Sequence, residues 1–248
     1  MTIETDEDLL ALKEIGHIVA VTLKEMVQQV EPGMTTGELD QIGRAWLSSH
    51  GAQSAPKVTY NFPGYTCISI NEEAAHGVPG KRVIQPGDVV NIDVSAEKNG
   101  YFADTGGTFV VPPSNRFKDR LIASAKSALS QACRNARAGN PLNVIGKSIQ
   151  KVAKKSKFRI IKNLCGHGVG RGLHEAPQKI TGYYEPRDKR RLHKGLVIAI
   201  EPFLSTKSRF VTESDDGWTL IGDRGNLSAQ FEHTVVITEG KPIVLTVA

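Results

Sequence analysis

Two carboxylates interrupt otherwise apolar segments in NIDVSAEKNGYFADTGGTFVV, residues 91 to 111. Asp93 breaks the run Val89-Val90-Asn91-Ile92-Asp93-Val94, and Asp104 stands in the mirrored position beyond Asn99-Gly100, a strong hairpin-turn signal. Strand alternation puts Asp93 on one face with Val89, Asn91 and Ser95, and puts Val90, Ile92 and Val94 on the other. The midpoint of Asp93 and Asp104 falls at Lys98/Asn99. That spacing predicts carboxylates nearly opposite one another across a hairpin, with Cβ atoms roughly 4.5 to 5.5 Å apart. Two buried carboxylates so close need compensation, because each unpaired buried ion is strongly unfavourable. A salt bridge to Arg or Lys, or one shared proton, would serve an isolated pair.

The pair is not isolated, because the second half of the chain repeats the pattern. AAHGVPG (74–80) aligns with CGHGVGRG (165–172), QPGDVVNID (85–93) with HKGLVIAIE (193–201), and ADTGGTFVV with FEHTVVIT. His76 then falls on His167, Asp93 on Glu201 and Asp104 on Glu232. Glu201 shares a strand face with Val197 and Ala199, opposite Leu196, Ile198 and Ile200. Four carboxylates and one imidazole make an oxygen and nitrogen set suited to divalent first-row metals, and bridging carboxylates allow two ions about 3.5 to 4 Å apart. Two dications offset four carboxylates, which no single Lys could.

The elements that must hold these residues are legible in the same sequence. TDEDLLALKEIGHIVAVTLKEMVQQV opens on a Thr5-x-x-Asp8 capping pattern and carries Leu12, Ile15, Val19, Leu23 and Met26 on one stripe, which predicts a long helix ending before Glu31-Pro32-Gly33. A second helix runs from the Thr35-x-x-Glu38 box through Leu39, Ile42 and Trp46 to Gly51. The period then changes to strands in YTCISIN, DVVNIDVS and YFADTGGTFVV. After VVPPSN the order recurs, with a helix over 116–137, a shorter helix, then strands. A diverged duplication follows: two α+β halves whose sheets meet at a pseudo-twofold axis, forming one unit because neither half alone has much core.

Bulk properties set the class. The 248 residues are 40% hydrophobic and 23% charged, ordinary for a globular chain. The acidic N-terminus MTIETDEDLL lacks a signal-peptide pattern and no apolar run approaches the roughly 20 residues of a membrane span, so a cytoplasmic location without membrane partners is expected. Cys67, Cys133 and Cys165 form no CxxC pair, which argues against disulfides and thiolate zinc. The net charge of +5 is modest, and the basic runs at 154–162 and 186–194 read as solvated faces rather than DNA-binding surfaces. His17, His50 and His193 read as incidental, and His233 as a packing residue.

The five residues Asp93, Asp104, His167, Glu201 and Glu232, within NIDVSAEKNGYFADTG, GHGVGRGLHEAP, AIEPF and QFEHTVV, resemble the type I methionine aminopeptidases of peptidase family M24, whose fold is called pita-bread. The resemblance runs from about residue 6 to residue 246, and the lack of a helical insertion or N-terminal extension matches the short bacterial form. It implies an α+β fold in which two pseudo-twofold halves, about 1–112 and 113–248, carry antiparallel sheets around a central dinuclear metal site in one catalytic domain spanning 1–248. Asp93 would chelate one ion, Asp104 and Glu232 would bridge, and His167 and Glu201 would complete the other site. Co, Mn, Fe, Ni or Zn all suit such ligands. The implied activity removes the initiator methionine from nascent proteins with a small second residue. In it a metal-bridging hydroxide, its pKa lowered towards about 7, attacks the first peptide bond, with Glu201 as general base. His76 and His174 match family histidines that hydrogen-bond the scissile amide and the tetrahedral intermediate.

Phe62, Cys67 and Trp218 match the pocket for the methionine side chain, while Pro56, Thr59 and Leu173 depart from residues common there and are expected to change its shape. Asn71 and Ser228 match positions near a monovalent cation in some relatives. A monomer acting on nascent N-termini is expected, with transient ribosome contact through the basic runs. The competing readings are an X-Pro aminopeptidase or dipeptidase of the same fold, which usually carries an extra N-terminal domain, and a non-catalytic pita-bread binding protein, which would have lost ligands. A creatinase-like hydrolase without metals is disfavoured by the same complete ligand set.

Overall fold

Thr5 and Thr35 open the two N-terminal helices by the same device. Each hydroxyl accepts the backbone N–H three residues on, at Asp8 and Glu38, and each of those carboxylates accepts the N–H of its own cap residue. The computed structural model describes residues 1–248 and places α1 at Asp6–Gln29 and α2 at Thr36–Ser49, where the capping boxes and periodicity predict them. Leu12, Ile15, Val19 and Met26 of α1 are buried, whereas Leu23, on the same stripe, is only half-buried. Periodicity gives no sign of α3 (Ala55–Tyr60), because 6 residues are too few to write a stripe. Pro56 in its first turn presets φ, and Asn61 ends it in the left-handed region at φ 58°.

Strands Val89–Lys98 and Tyr101–Val110 form the predicted hairpin, with Asn99 (φ 54°) and Gly100 (φ 78°) both left-handed at its turn. The register pairs Lys98 with Tyr101, Ser95 with Asp104 and Asp93 with Gly106. The expected near-opposition of Asp93 and Asp104 takes the form of a two-residue offset. The turn is centred between Asn99 and Gly100, beyond the assumed midpoint, so the carboxylates are diagonal neighbours on one face. On the other edge of Val89–Lys98 lies Cys67–Ile70, with Cys67 beside Asp93.

In the second half, Asn115 caps α4 (Arg116–Asn135) by accepting from the N–H groups of Phe117 and Lys118, and α5 (Val144–Ser156) follows. A five-stranded antiparallel sheet then runs in the order Ile243–Val244, His233–Val236, Val197–Ile200, Cys165–Gly168, Glu175–Thr181. Val197 and Ala199 face one apolar cluster while Ile198 and Ile200 face another, so this strand is buried on both sides. It stops at Ile200, and Glu201 lies just past its end rather than within it. No helix is long and apolar enough to cross a membrane.

One core cluster draws on residues between Ile15 and Val111, beneath α1 and α2, and the largest draws on residues between Leu121 and Ile237, beneath α4 and α5. Between them, strand Tyr101–Val110 lies along residues 228–236, and threonine hydroxyls stitch the seam. Thr234 Oγ1 accepts from the Asp104 N–H at 2.9 Å and donates to the Asp104 carbonyl at 2.8 Å. Thr105 donates to the Glu232 carbonyl at 2.9 Å, and Thr108 to the Gln230 carbonyl at 2.7 Å. Buried backbone groups must find partners, and here side chains supply what a regular ladder does not.

Candidate metal centre

The stitched seam sets Asp104 and Glu232 side by side, and the five-stranded sheet brings an imidazole to them. His167 Nδ1 lies 3.0 Å from the Gly168 carbonyl oxygen, which keeps the ring proton on Nδ1 and leaves the Nε2 lone pair facing the carboxylates. Nε2 is 3.4 Å from Glu201 Oε1 and 3.7 Å from Asp104 Oδ2. Ligand atoms of Asp104, His167 and Glu232 lie within 4.8 Å of one another. Asp93, diagonal to Asp104 on the neighbouring strand, is buried within reach of the charges of Asp104 and Glu201. All five predicted residues therefore converge, from five separate stretches of chain.

The electrostatics of this cluster are one-sided. None of its carboxylates has a Lys or Arg partner. Burial pushes the Asp104 carboxyl up to about 6, and burial together with the charge of Asp104 pushes Asp93, Glu201 and Glu232 well above the usual carboxylate range. Burial likewise lowers His167 to about 3, so its ring is neutral. Asp104 Oδ1 and Glu232 Oε1 are buried with no hydrogen-bond partner, a costly state for acceptors unless a cation meets them. Orphaned oxygens, mutually repelling carboxylates and a free imidazole lone pair are the donor set a divalent metal requires.

Around the cluster, the histidines named from sequence gather on one side. The His174 ring is tilted 56° against that of His167 with centroids 4.2 Å apart, and His76, in the left-handed region at φ 54°, lies close enough to depress the pKa of both. Tyr60 Oη, at the end of α3, is 2.6 Å from His174 Nδ1. Burial raises the Tyr60 pKa and lowers that of His174, so phenol and imidazole are both neutral, and with the phenol as donor to Nδ1 the single ring N–H of His174 lies on Nε2. Sequence reasoning weighed Thr59 and passed over Tyr60. Thr59 is exposed on α3, and its neighbour makes the contact.

Phe62 is buried and meets Trp218 edge-on at 5.2 Å, and Cys67 is buried beside Asp93 and feels the charges of Asp93 and Asp104. Leu173, beside His174, is buried, as is Pro56. Gln230 was not foreseen: it donates to Glu232 Oε2 at 2.9 Å and accepts from Asn91 at 2.8 Å. A Cβ on Gly106 would lie 2.4 Å from the Gln230 amide oxygen, so the glycine is what admits that side chain. Asn71 and Ser228 are joined by a backbone hydrogen bond of 3.3 Å, and the Asn71 side chain is engaged by Asp88 and Val89. His17, His50, His193 and His233 each make a local contact, to Val247, Trp46, Thr2 and Thr246 respectively.

Residues 11–239 match the profile of metallopeptidase family M24. The chain is 49% identical over 247 residues to a methionine aminopeptidase of Staphylococcus epidermidis, covering 99% of this chain and 98% of that one. Its structure superposes on the crystal structure of a methionine aminopeptidase from Thermotoga maritima with a TM-score of 0.95 at 33% identity, over the full length of both chains. A prolidase from Pyrococcus furiosus shares the fold with a TM-score of 0.79 at 24% identity, and there the match covers 66% of the longer prolidase chain.

Proposed function

The chain belongs to metallopeptidase family M24, and from that membership we propose how its residues divide the labour of a metal-dependent aminopeptidase that removes the initiator methionine from nascent proteins. Full-length likeness to methionine aminopeptidases carries this reading over the X-Pro alternative, because the prolidase likeness extends to fold alone. Asp93, Asp104, His167, Glu201 and Glu232 would hold two divalent ions, and ions so held supply Lewis acidity and acidify a water towards neutral pH. Glu201, at a strand end beside His167, takes the proton from the attacking water and carries it to the leaving amine. His174 donates from Nε2 towards the scissile amide because Tyr60 occupies Nδ1, and His76, on the same side of the cluster, donates beside it. Phe62, Cys67 and Trp218 receive the methionine side chain, with Leu173 and Thr59 shaping its margin.

The finer assignments rest on the same reading. The metal is one of Co, Mn, Fe, Ni or Zn, with a monovalent cation near the Asn71 and Ser228 backbone. Residues 1–248 act as one catalytic domain and a monomer in the cytoplasm, with salt-sensitive ribosome contact through 154–162 or 186–194. The deciding experiment is methionine release from Met-Ala-Ser by chelator-stripped protein titrated with Mn, Co and Fe without oxygen. Activity should return with metal and be absent in Asp104→Asn. Metal uptake accompanied by cleavage of an X-Pro peptide, with Met-Ala-Ser left intact, would overturn the assignment.

A further inference from the structure

On the side of the long hairpin turned away from the metal cluster, α1 and α4 stand apart over a cleft of about 680 Å³. Leu23 and Val27 of α1 and Leu129 and Cys133 of α4 form its walls, with Phe109 and Phe231 at its floor. Its volume is that of a small-molecule site, within the roughly 300 to 1,000 Å³ such sites occupy. Gly107 is the reason the floor is bare. Its neighbour Gly106 is forced by contact with Gln230, but a Cβ on Gly107 would meet only Leu23 at 3.6 Å and Phe231 at 3.8 Å, ordinary contacts, and its φ is not left-handed. Neither packing nor backbone demands the glycine, and its effect is to leave the space open.

The charge around this apolar space is equally specific. Lys24, Lys126, Arg134 and Lys241 line the cleft and none of them takes part in any ion pair of the molecule. The one acidic side chain in the lining, Glu232, turns its carboxylate to Gln230 and the metal cluster. Apolar walls under unpaired cations complement an apolar body with an anionic head. We propose that this cleft is a binding site for an anionic amphiphile of the fatty-carboxylate class, its chain between α1 and α4 and its carboxylate among Lys24, Lys126, Arg134 and Lys241.

The test is calorimetric titration of the metal-loaded full chain with laurate below its micellar concentration. One saturable site is expected, with affinity falling about fourfold per methylene removed, so that octanoate, with four fewer, binds about 250-fold more weakly. Dodecyltrimethylammonium should not compete. The Lys126→Glu/Lys241→Glu double variant should weaken laurate at least tenfold, and Gly107→Leu should abolish binding by filling the floor. Because a change within the strand could disturb folding, Ser130→Phe, on the exposed wall of α4, provides a second obstruction, with the thermal melt and methionine release followed for each variant. Absence of saturable binding, binding that survives both obstructions, or equal affinity for the cationic amphiphile would overturn the proposal. So would an acidic amphipathic peptide occupying the cleft where laurate does not.

Discussion

In the proposed mechanism Glu201 would carry two demands on one carboxylate, since it lies 3.4 Å from the His167 nitrogen that would share a metal with it and would also shuttle the proton. Glu201→Gln keeps the shape and removes the basicity, so turnover at saturating metal should fall by about 10² to 10⁴, the range of general acid–base catalysis. Full activity in a steady-state assay would remove it from the mechanism. Tyr60 acts at one remove, as the group that orients His174. Tyr60→Phe should lower kcat/KM about tenfold, roughly 1.4 kcal/mol, with the loss in kcat and the melting temperature unchanged, because the residue is 45% exposed. In a His174→Ala background the same change should cost almost nothing, which a merely structural tyrosine would not reproduce. The five residues that converge were readable in the sequence because carboxylates in apolar strands are anomalous and the aligned second half doubled the anomaly. Tyr60 and Gln230 were not readable, since their partners are set by folding: Tyr60 meets a histidine 114 residues away.

Helix α1 shows how an element's own chemistry reaches the site's scaffold. Thr5 and Asp8 form its cap, and Thr5→Ala should destabilise the protein by about 1 kcal/mol in chemical denaturation. Asp8 does more, because it also accepts from Tyr101 Oη at 2.8 Å and from Arg171 at 2.9 Å, tying α1 to the hairpin and to the loop before His174. Hydrogen bonds from the Glu4 backbone and from Tyr101 lower the Asp8 pKa to about 2. A folded-state pKa below the unfolded value of about 3.9 means that the stabilisation is complete above about pH 5 and is lost as pH falls through 2 towards about pH 1. Asp8→Asn should therefore be less stable than the parent by about 1 to 2 kcal/mol at pH 7, and the two should converge by about pH 1. A gap that persists at about pH 1 would point to packing instead. Both capping boxes were legible because they are local, and the Asn99-Gly100 turn likewise. Register was not: whether Asp104 faces Asp93 or Ser95 depends on which two residues make the turn, and a shift of a single position in the turn centre moves every pair along the hairpin.

At the scale of the whole molecule, the metal cluster is a clasp across the seam. Asp93 and Asp104 come from the hairpin over the first core, and His167, Glu201 and Glu232 from the second, with threonine hydroxyls holding the backbones together between them. The duplication that makes this possible was visible as aligned motifs, but the stitching was not, because nothing in the residues Thr105, Thr108 and Thr234 distinguishes a seam from a strand surface. Stripping the ions leaves four carboxylates facing one another without a counter-charge while the stitching remains. The metal-free protein should therefore stay folded at lower stability. Free metal at a hundred times its Kd adds about 2.7 kcal/mol, or roughly 5 to 11 °C in Tm for a chain of this size, measurable by calorimetry before and after chelation. Metal uptake with no rise in Tm would refute the clasp. Thr234→Val separates the two contributions: it leaves the Asp104 N–H and C=O buried without partners, which should cost about 2 to 3 kcal/mol even without metal. Because Asp104 is then held less firmly, the midpoint of the metal titration should also move to higher concentration. A variant that lost stability with that midpoint unmoved would make the stitching structural only, and would leave the carboxylate geometry to the metal itself.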